Sequence, residues 1–190
     1  MRARYEEIMG PVGGWLGARG ITPNALTSIS LILSIGAGAG YAFSFPILGA
    51  VGILLSAMVD MFDGAVARAT RTVSRFGAVY DHVLDRYVEF FILVGMGLGG
   101  FSDWIWIIFC LFGMVMASFT RAKAESVGGL KSCTVGIAER QEKLIILLVG
   151  SILQPVIGSA LMFSIILAGI LSHVTVIQRL HYTYHETRRS

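Results

Sequence analysis

Four aspartates dominate the chemistry open to this sequence. Asp60 and Asp63 stand three residues apart, and Asp81 and Asp85 four apart. On a helix, each spacing puts both carboxylates on one face. The surroundings are apolar: Pro46 to Val59 leads into Asp60-Met61-Phe62-Asp63-Gly64, and a second helical run opens near Gly77. Ionised carboxylates at membrane depth are costly and point to function. Four of them from adjacent helices repel one another unless cations join them, and oxygen-only ligands favour hard ions such as Mg²⁺, Mn²⁺ or Ca²⁺ over zinc. Gly64, Ala67 and Gly77 interleave the charges and leave room for a bulky, flat, anionic ligand at the backbone. Arg68, one turn beyond Asp63-Gly64, could then reach a diphosphate. A competing reading pairs the aspartates with Arg68, Arg71, Arg75 and Arg86 as structural ion pairs; it leaves the small residues unexplained.

The elements that carry these residues are membrane helices. Of 190 residues, 55% are hydrophobic and only 14% charged, too little charge to cover a soluble domain. Apolar character continues to about Val176, unlike a short secretory signal ahead of a polar domain. The expected fold is all-α and polytopic, with six transmembrane helices near 24–43, 46–70, 74–100, 103–124, 139–153 and 155–179. Residues 1–20 mix Arg and Glu with Ile8, Met9, Val12, Trp15 and Leu16, the pattern of an amphipathic juxtamembrane helix. The membrane domain then covers 21–180, and 181–190 form a cytoplasmic tail.

Charge placement orients these spans. All 15 Lys and Arg residues fall on one side of a six-span layout. Arg2, Arg4 and Arg19 precede the first span, and Arg188 and Arg189 follow the last. The opposite connections, Ser44-Phe45-Pro46, Gly100 to Asp103 and Gln154-Pro155, carry none. The positive-inside rule makes the charged side cytoplasmic, with both termini and the acidic site, in a multi-pass cell-membrane protein. A net charge of +3 thus reflects orientation, and no basic soluble face is present for nucleic acid. Cys110 and Cys133 fall in an apolar run and a polar loop, which argues against a disulfide or a cysteine metal site.

The string Asp60-x2-Asp63-Gly64-x2-Ala67-Arg68-x8-Gly77-x3-Asp81-x3-Asp85 places eight fixed positions in 26 residues. It resembles, without gap or substitution, the signature of the CDP-alcohol phosphotransferases. The resemblance implies a phospholipid-synthesising transferase that moves a phosphatidyl or archaetidyl group from a CDP-linked lipid to a second hydroxyl and releases CMP. It assigns Asp60, Asp63, Asp81 and Asp85 to Mg²⁺ or Mn²⁺, with two ions expected, and Asp85 to general-base catalysis. Asp63, Gly64, Ala67, Arg68 and Gly77 would surround the CDP moiety, with Pro23, Asn24 and Thr27 at the entry to the first span. A homodimer is also implied. Glu89, one turn beyond Asp85, is expected to support the metal site indirectly.

The acceptor is read from other residues. Arg121-Ala-Lys123-Ala-Glu125, Gly136-Ile-Ala-Glu139-Arg140-Gln-Glu142-Lys143 and Arg179 gather basic side chains that suit a phosphorylated polyol; the plainer alternative is positive-inside charge or anionic headgroup binding. The patterns are similar to those of family members that use inositol 1-phosphate, although Lys123, Gln141 and Lys143 depart from them. By that resemblance Arg121, Arg140 and Arg179 contact the acceptor phosphate. Glycerol 3-phosphate is the alternative acceptor within the family. Outside it, a metal-ion transporter or a structural membrane subunit would also carry buried acids, but neither requires the Gly64, Ala67, Arg68 and Gly77 pattern. Gly36-x3-Gly40 and Gly95-x3-Gly99 match a helix-packing motif, read here as internal packing. His82 is expected to turn away from the acidic face; His173, His181 and His185 show no ligand spacing.

Overall fold

The computed structural model describes residues 2–188, with side chains from residue 9 onward. Arg189 lies outside these residues, as do the side chains of Arg2, Arg4 and Ile8. Seven helices and no strand occur among the described residues: α1 (Arg2–Ala18), α2 (Pro23–Ala42), α3 (Pro46–Ala69), α4 (Arg75–Leu98), α5 (Trp104–Ser126), α6 (Arg140–Leu153) and α7 (Ala160–Thr187). Four of them, α2, α3, α5 and α7, are long and apolar enough to cross a membrane. Helix α4 is long enough but carries Asp81, Asp85, Arg86 and Glu89. Helix α6 has 14 residues and spans about 21 Å, against a hydrocarbon core of about 30 Å. Helix α7 runs on through most of the segment expected to be a tail.

The chain divides into two compact units, one made of residues 1–41 and 48–95, the other of 42–47 and 96–190. In the first, helix starts and stops follow local chemistry. Thr22 precedes Pro23, and its hydroxyl accepts from Ala25 N at 3.3 Å; proline suits the first helical position, where its missing N–H would be unpaired anyway. Ser74 caps α4 by accepting from Gly77 N at 2.9 Å. Helix α3 ends in a Schellman turn: Thr72 N donates to Ala67 O at 3.0 Å and Arg71 N to Arg68 O at 3.3 Å. Arg71 takes the left-handed position at φ 56°, a conformation glycine usually fills. The turn stops α3 at Ala69, one residue past Arg68, and sends the chain back toward α4.

Close helix contact in this unit runs through small residues. A Cβ on Gly38 would meet the Phe91 carbonyl, one on Gly95 would meet Gly38, and one on Gly52 would meet Ala37. Ser30 and Ser56 clasp α2 to α3, their hydroxyls 2.9 Å apart. Gly36 of the expected packing motif faces open space, whereas Gly95 is at the contact. Helix α1 meets α3 through Gly13 against Ala65, and the turn that follows α3 through Gly17 against Thr70. Trp15 stays exposed, with the Arg19 guanidinium 3.4 Å above its ring.

The second unit packs α5, α6 and α7 together. His173 is half-buried in this packing: it stacks on Phe109 and its Nε2 lies 3.1 Å from the Phe109 carbonyl oxygen. Gln154 bridges the turn before α7, donating to Gly158 O at 2.6 Å and accepting from Leu161 N at 2.8 Å. Cys110 and Cys133 are both buried, and neither takes part in a disulfide.

Candidate active site

The acidic residues converge within the first unit. Carboxylate oxygens of Asp60 and Asp63 on α3 and of Asp81 on α4 all lie within 4.8 Å of one another. A second group of the same tightness comprises Asp81, His82 and Asp85. Asp81 belongs to both, so the two groups form one continuous acidic cluster. Asp85 is the most enclosed of the four, with 8% of its surface exposed. His82 does not turn away from the acidic face as expected: its side chain is largely exposed, and its Nδ1 lies 3.9 Å from Asp81 Oδ2.

Beside the cluster is a cavity of about 370 Å³, within the range of small-molecule sites. Pro23, Asn24, Thr27, Asp63, Gly64, Ala67, Arg68 and Gly77 all line it. These residues come from the start of α2, the end of α3 and the start of α4, brought together by the Thr22 and Ser74 caps and the Schellman turn. The Arg68 guanidinium folds back over Gly64, where a Cβ would sit 3.2 Å from Nη1. Thr72, Val73, Ser74 and Ala78 line the cavity too. Sequence spacing did not single them out, although Ser74, three residues before Gly77, carried a cap signal. Thr27 does more than line the wall: its hydroxyl donates to Asp63 Oδ2 at 2.8 Å, a shorter contact than its 3.1 Å approach to Pro23 O.

The sequence model of the CDP-alcohol phosphatidyltransferase family matches residues 20–178. The chain belongs to that family. It is therefore a membrane-bound transferase enzyme. An archaetidylinositol phosphate synthase of Pyrococcus horikoshii is 35% identical over 181 residues, covering 95% of this chain and 93% of the relative. A phosphatidylinositol phosphate synthase of Mycobacterium tuberculosis, solved in complex with manganese and citrate, superposes with a TM-score of 0.83 at 28% identity, covering 93% of this chain and 88% of that one. The same mycobacterial enzyme solved with CDP-DAG bound also gives 0.83, with 94% of each chain covered.

For a chain of this family the donor set fits a divalent ion. The cluster offers carboxylate oxygens from two helices at ligand-sharing distance, the chemistry of hard cations. Of the arginines weighed as structural partners, Arg86 does pair: its Nη1 lies 2.8 Å from Glu89 Oε2 and its Nη2 3.7 Å from Asp85 Oδ2.

Arg121, Arg140 and Arg179 belong to the second unit, where they border the loop between α5 and α6. Arg121 Nε lies 3.1 Å from Glu125 Oε1, which also accepts from Cys133 N at 2.9 Å. Arg179 is buried, and its Nε and Nη1 donate to Val135 O at 2.9 Å and Ala117 O at 2.6 Å. Arg140 opens α6, where Glu142 closes the start of the helix by accepting from Glu139 N at 3.0 Å. Two of the three arginines thus hold the loop in place as well as carrying charge, a role that charge counting did not reveal.

Proposed function

We propose that the chain transfers a phosphatidyl or archaetidyl group from a CDP-linked lipid to a hydroxyl of inositol 1-phosphate, releasing CMP. The observation that carries this reading is the cavity wall. All eight positions expected to hold CDP line one space, and that space includes two of the acidic cluster's residues, Asp63 and Asp81. The relatives named as archaetidylinositol and phosphatidylinositol phosphate synthases support inositol phosphate as the acceptor.

In this reading Asp60, Asp63, Asp81 and Asp85 hold Mg²⁺ or Mn²⁺; two overlapping acidic groups that share Asp81 support a pair of ions. Bound divalent ions would supply charge neutralisation on the diphosphate and on the departing CMP. Arg68 takes a diphosphate oxygen, and Gly64, Ala67 and Gly77 keep the wall low enough for the nucleotide to lie against backbone. Asp85 accepts the proton of the attacking hydroxyl. The new bond forms between that oxygen and the lipid-linked phosphorus, and the bond from that phosphorus to the CMP oxygen breaks. Arg121, Arg140 and Arg179 take the acceptor's phosphate. The enzyme is multi-pass, with α4 and α6 also crossing and the acidic site on the cytoplasmic side, in keeping with the one-sided Lys and Arg distribution.

The direct test is CMP release by purified protein given a CDP-linked lipid with inositol 1-phosphate, glycerol 3-phosphate or free inositol. Turnover should require inositol 1-phosphate. Equal or faster turnover with glycerol 3-phosphate would overturn the acceptor assignment and leave the reaction class standing. Thr27 gives a second test. Thr27→Val keeps the volume but removes the hydroxyl that orients Asp63, and loss of such a partner weakens metal affinity or activity by about 10–100-fold. Mn²⁺ titration of turnover should show the shift; an unchanged Mn²⁺ dependence would remove Thr27 from the site's support.

A further inference from the structure

Glu89 is a carboxylate that the transfer step does not use, yet its side chain is wholly enclosed, at 0% exposure. A charge in such a place is tolerated only when paired. Its partner, Arg86, does not point away as a residue adjacent to Asp85 on a helix ordinarily would. The guanidinium instead reaches both acids, with Nη1 2.8 Å from Glu89 Oε2 and Nη2 3.7 Å from Asp85 Oδ2. Asp81, Asp85 and Glu89 recur every four residues and so share one face of α4. Arg86 spans the last two members of this row and meets Asp85 on one oxygen.

We infer that Arg86, anchored by Glu89, is a positioning residue for Asp85: it sets the orientation of that carboxylate with respect to Asp81 and limits its rotation. This rests on the assignment of Asp85 to proton transfer and metal binding made above. Arginine suits the task because two nitrogens on one rigid plane can serve two carboxylates at once, which a lysine ammonium on a flexible stem cannot do. The anchor also matters. Without Glu89 the guanidinium would be free to swing fully onto Asp85 and occupy both of its oxygens, or to leave it.

The test uses the purified full-length protein as Arg86→Lys, Arg86→Gln, Glu89→Gln and the double Arg86→Gln/Glu89→Gln variant, with Asp85→Asn as the benchmark. The expected result is a fall in kcat of about 10–100-fold in each single variant, the range for groups that orient metal ligands. KM for the CDP-linked lipid should stay within about twofold, since the cavity that binds it is untouched. The spectrum of bound Mn²⁺ by electron paramagnetic resonance should change in the same variants. Arg86→Lys keeps the buried charge balance, so a kcat loss at an unchanged melting temperature separates positioning from stability even where Glu89→Gln folds poorly. The double variant should be no better than Arg86→Gln alone. Recovery of parental kcat in the double variant would show that the pair only balances buried charge, and would overturn the inference. So would single variants within about twofold of the parent beside an inactive Asp85→Asn. Activity surviving in Asp85→Asn would instead remove the assignment of Asp85, and this inference with it.

Discussion

Replacing Asp85 with asparagine is expected to lower CMP release by about 10²–10⁴-fold, the contribution of a positioned general base, or roughly 3–5 kcal/mol of barrier. Asparagine keeps the shape of the side chain, so the packing of α4 around this nearly buried position is preserved. What is lost is chemical: an amide oxygen is a far weaker proton acceptor than a carboxylate and carries no charge for a cation. The loss should fall mainly on kcat, because Asp85 does not line the nucleotide cavity, whereas Asp63 and Asp81 do. Steady-state CMP release at saturating acceptor decides it. An Asp85→Asn protein within about tenfold of the parent would place the base elsewhere in the site.

Chelation should have an effect at least as large. EDTA is expected to reduce turnover by more than about a thousandfold, several kcal/mol of lost charge stabilisation, with recovery on adding excess Mg²⁺ or Mn²⁺. The physical reason lies in the cluster. Its carboxylate oxygens approach within 4.8 Å, and at that distance two like charges repel by about 3 kcal/mol or more at an effective dielectric near 20. Several such pairs oppose any arrangement in which all the acids stay ionised and converged without a cation. The same linkage predicts that saturating Mn²⁺ raises the melting temperature in detergent; an ion at about 100 times its Kd stabilises by about 2.7 kcal/mol, or roughly 5–10 °C for a chain of this size. Full turnover in EDTA, with the acidic residues intact, would contradict the metal role.

Much of this protein can be read before any coordinates are seen, and the residues show why. Helix limits follow from local signals: Thr22-Pro23 starts α2, Pro46 starts α3 and Ser74 starts α4, each within a few residues of the expected boundary. The acidic site was legible because spacings of three and four set a shared helical face wherever the helix later packs. Eight fixed residue types in 26 positions made family membership readable as well. The span count is not settled by apolar length, which marks α2, α3, α5 and α7 where six spans were expected; α4 carries acidic residues and α6 is short.

Other features depended on how the helices are rotated and which rotamers they select. Thr27 and Asp63 are 36 residues apart in the chain, and nothing local indicates that the hydroxyl faces that carboxylate. Neighbours on a helix diverge by about 100°, so sequence alone did not choose which of the four arginines weighed as ion-pair partners reaches Asp85; Arg86 does, with its guanidinium also at Glu89 one turn further along α4. Gly38, not Gly36, meets Gly95, since the packing angle decides which glycine reaches the neighbouring backbone. Arg179, expected from the resemblance to contact the acceptor phosphate, spends two donors on the carbonyls of Val135 and Ala117. Composition and spacing therefore determined which groups are present and which share a face, while tertiary packing decided which of them touch.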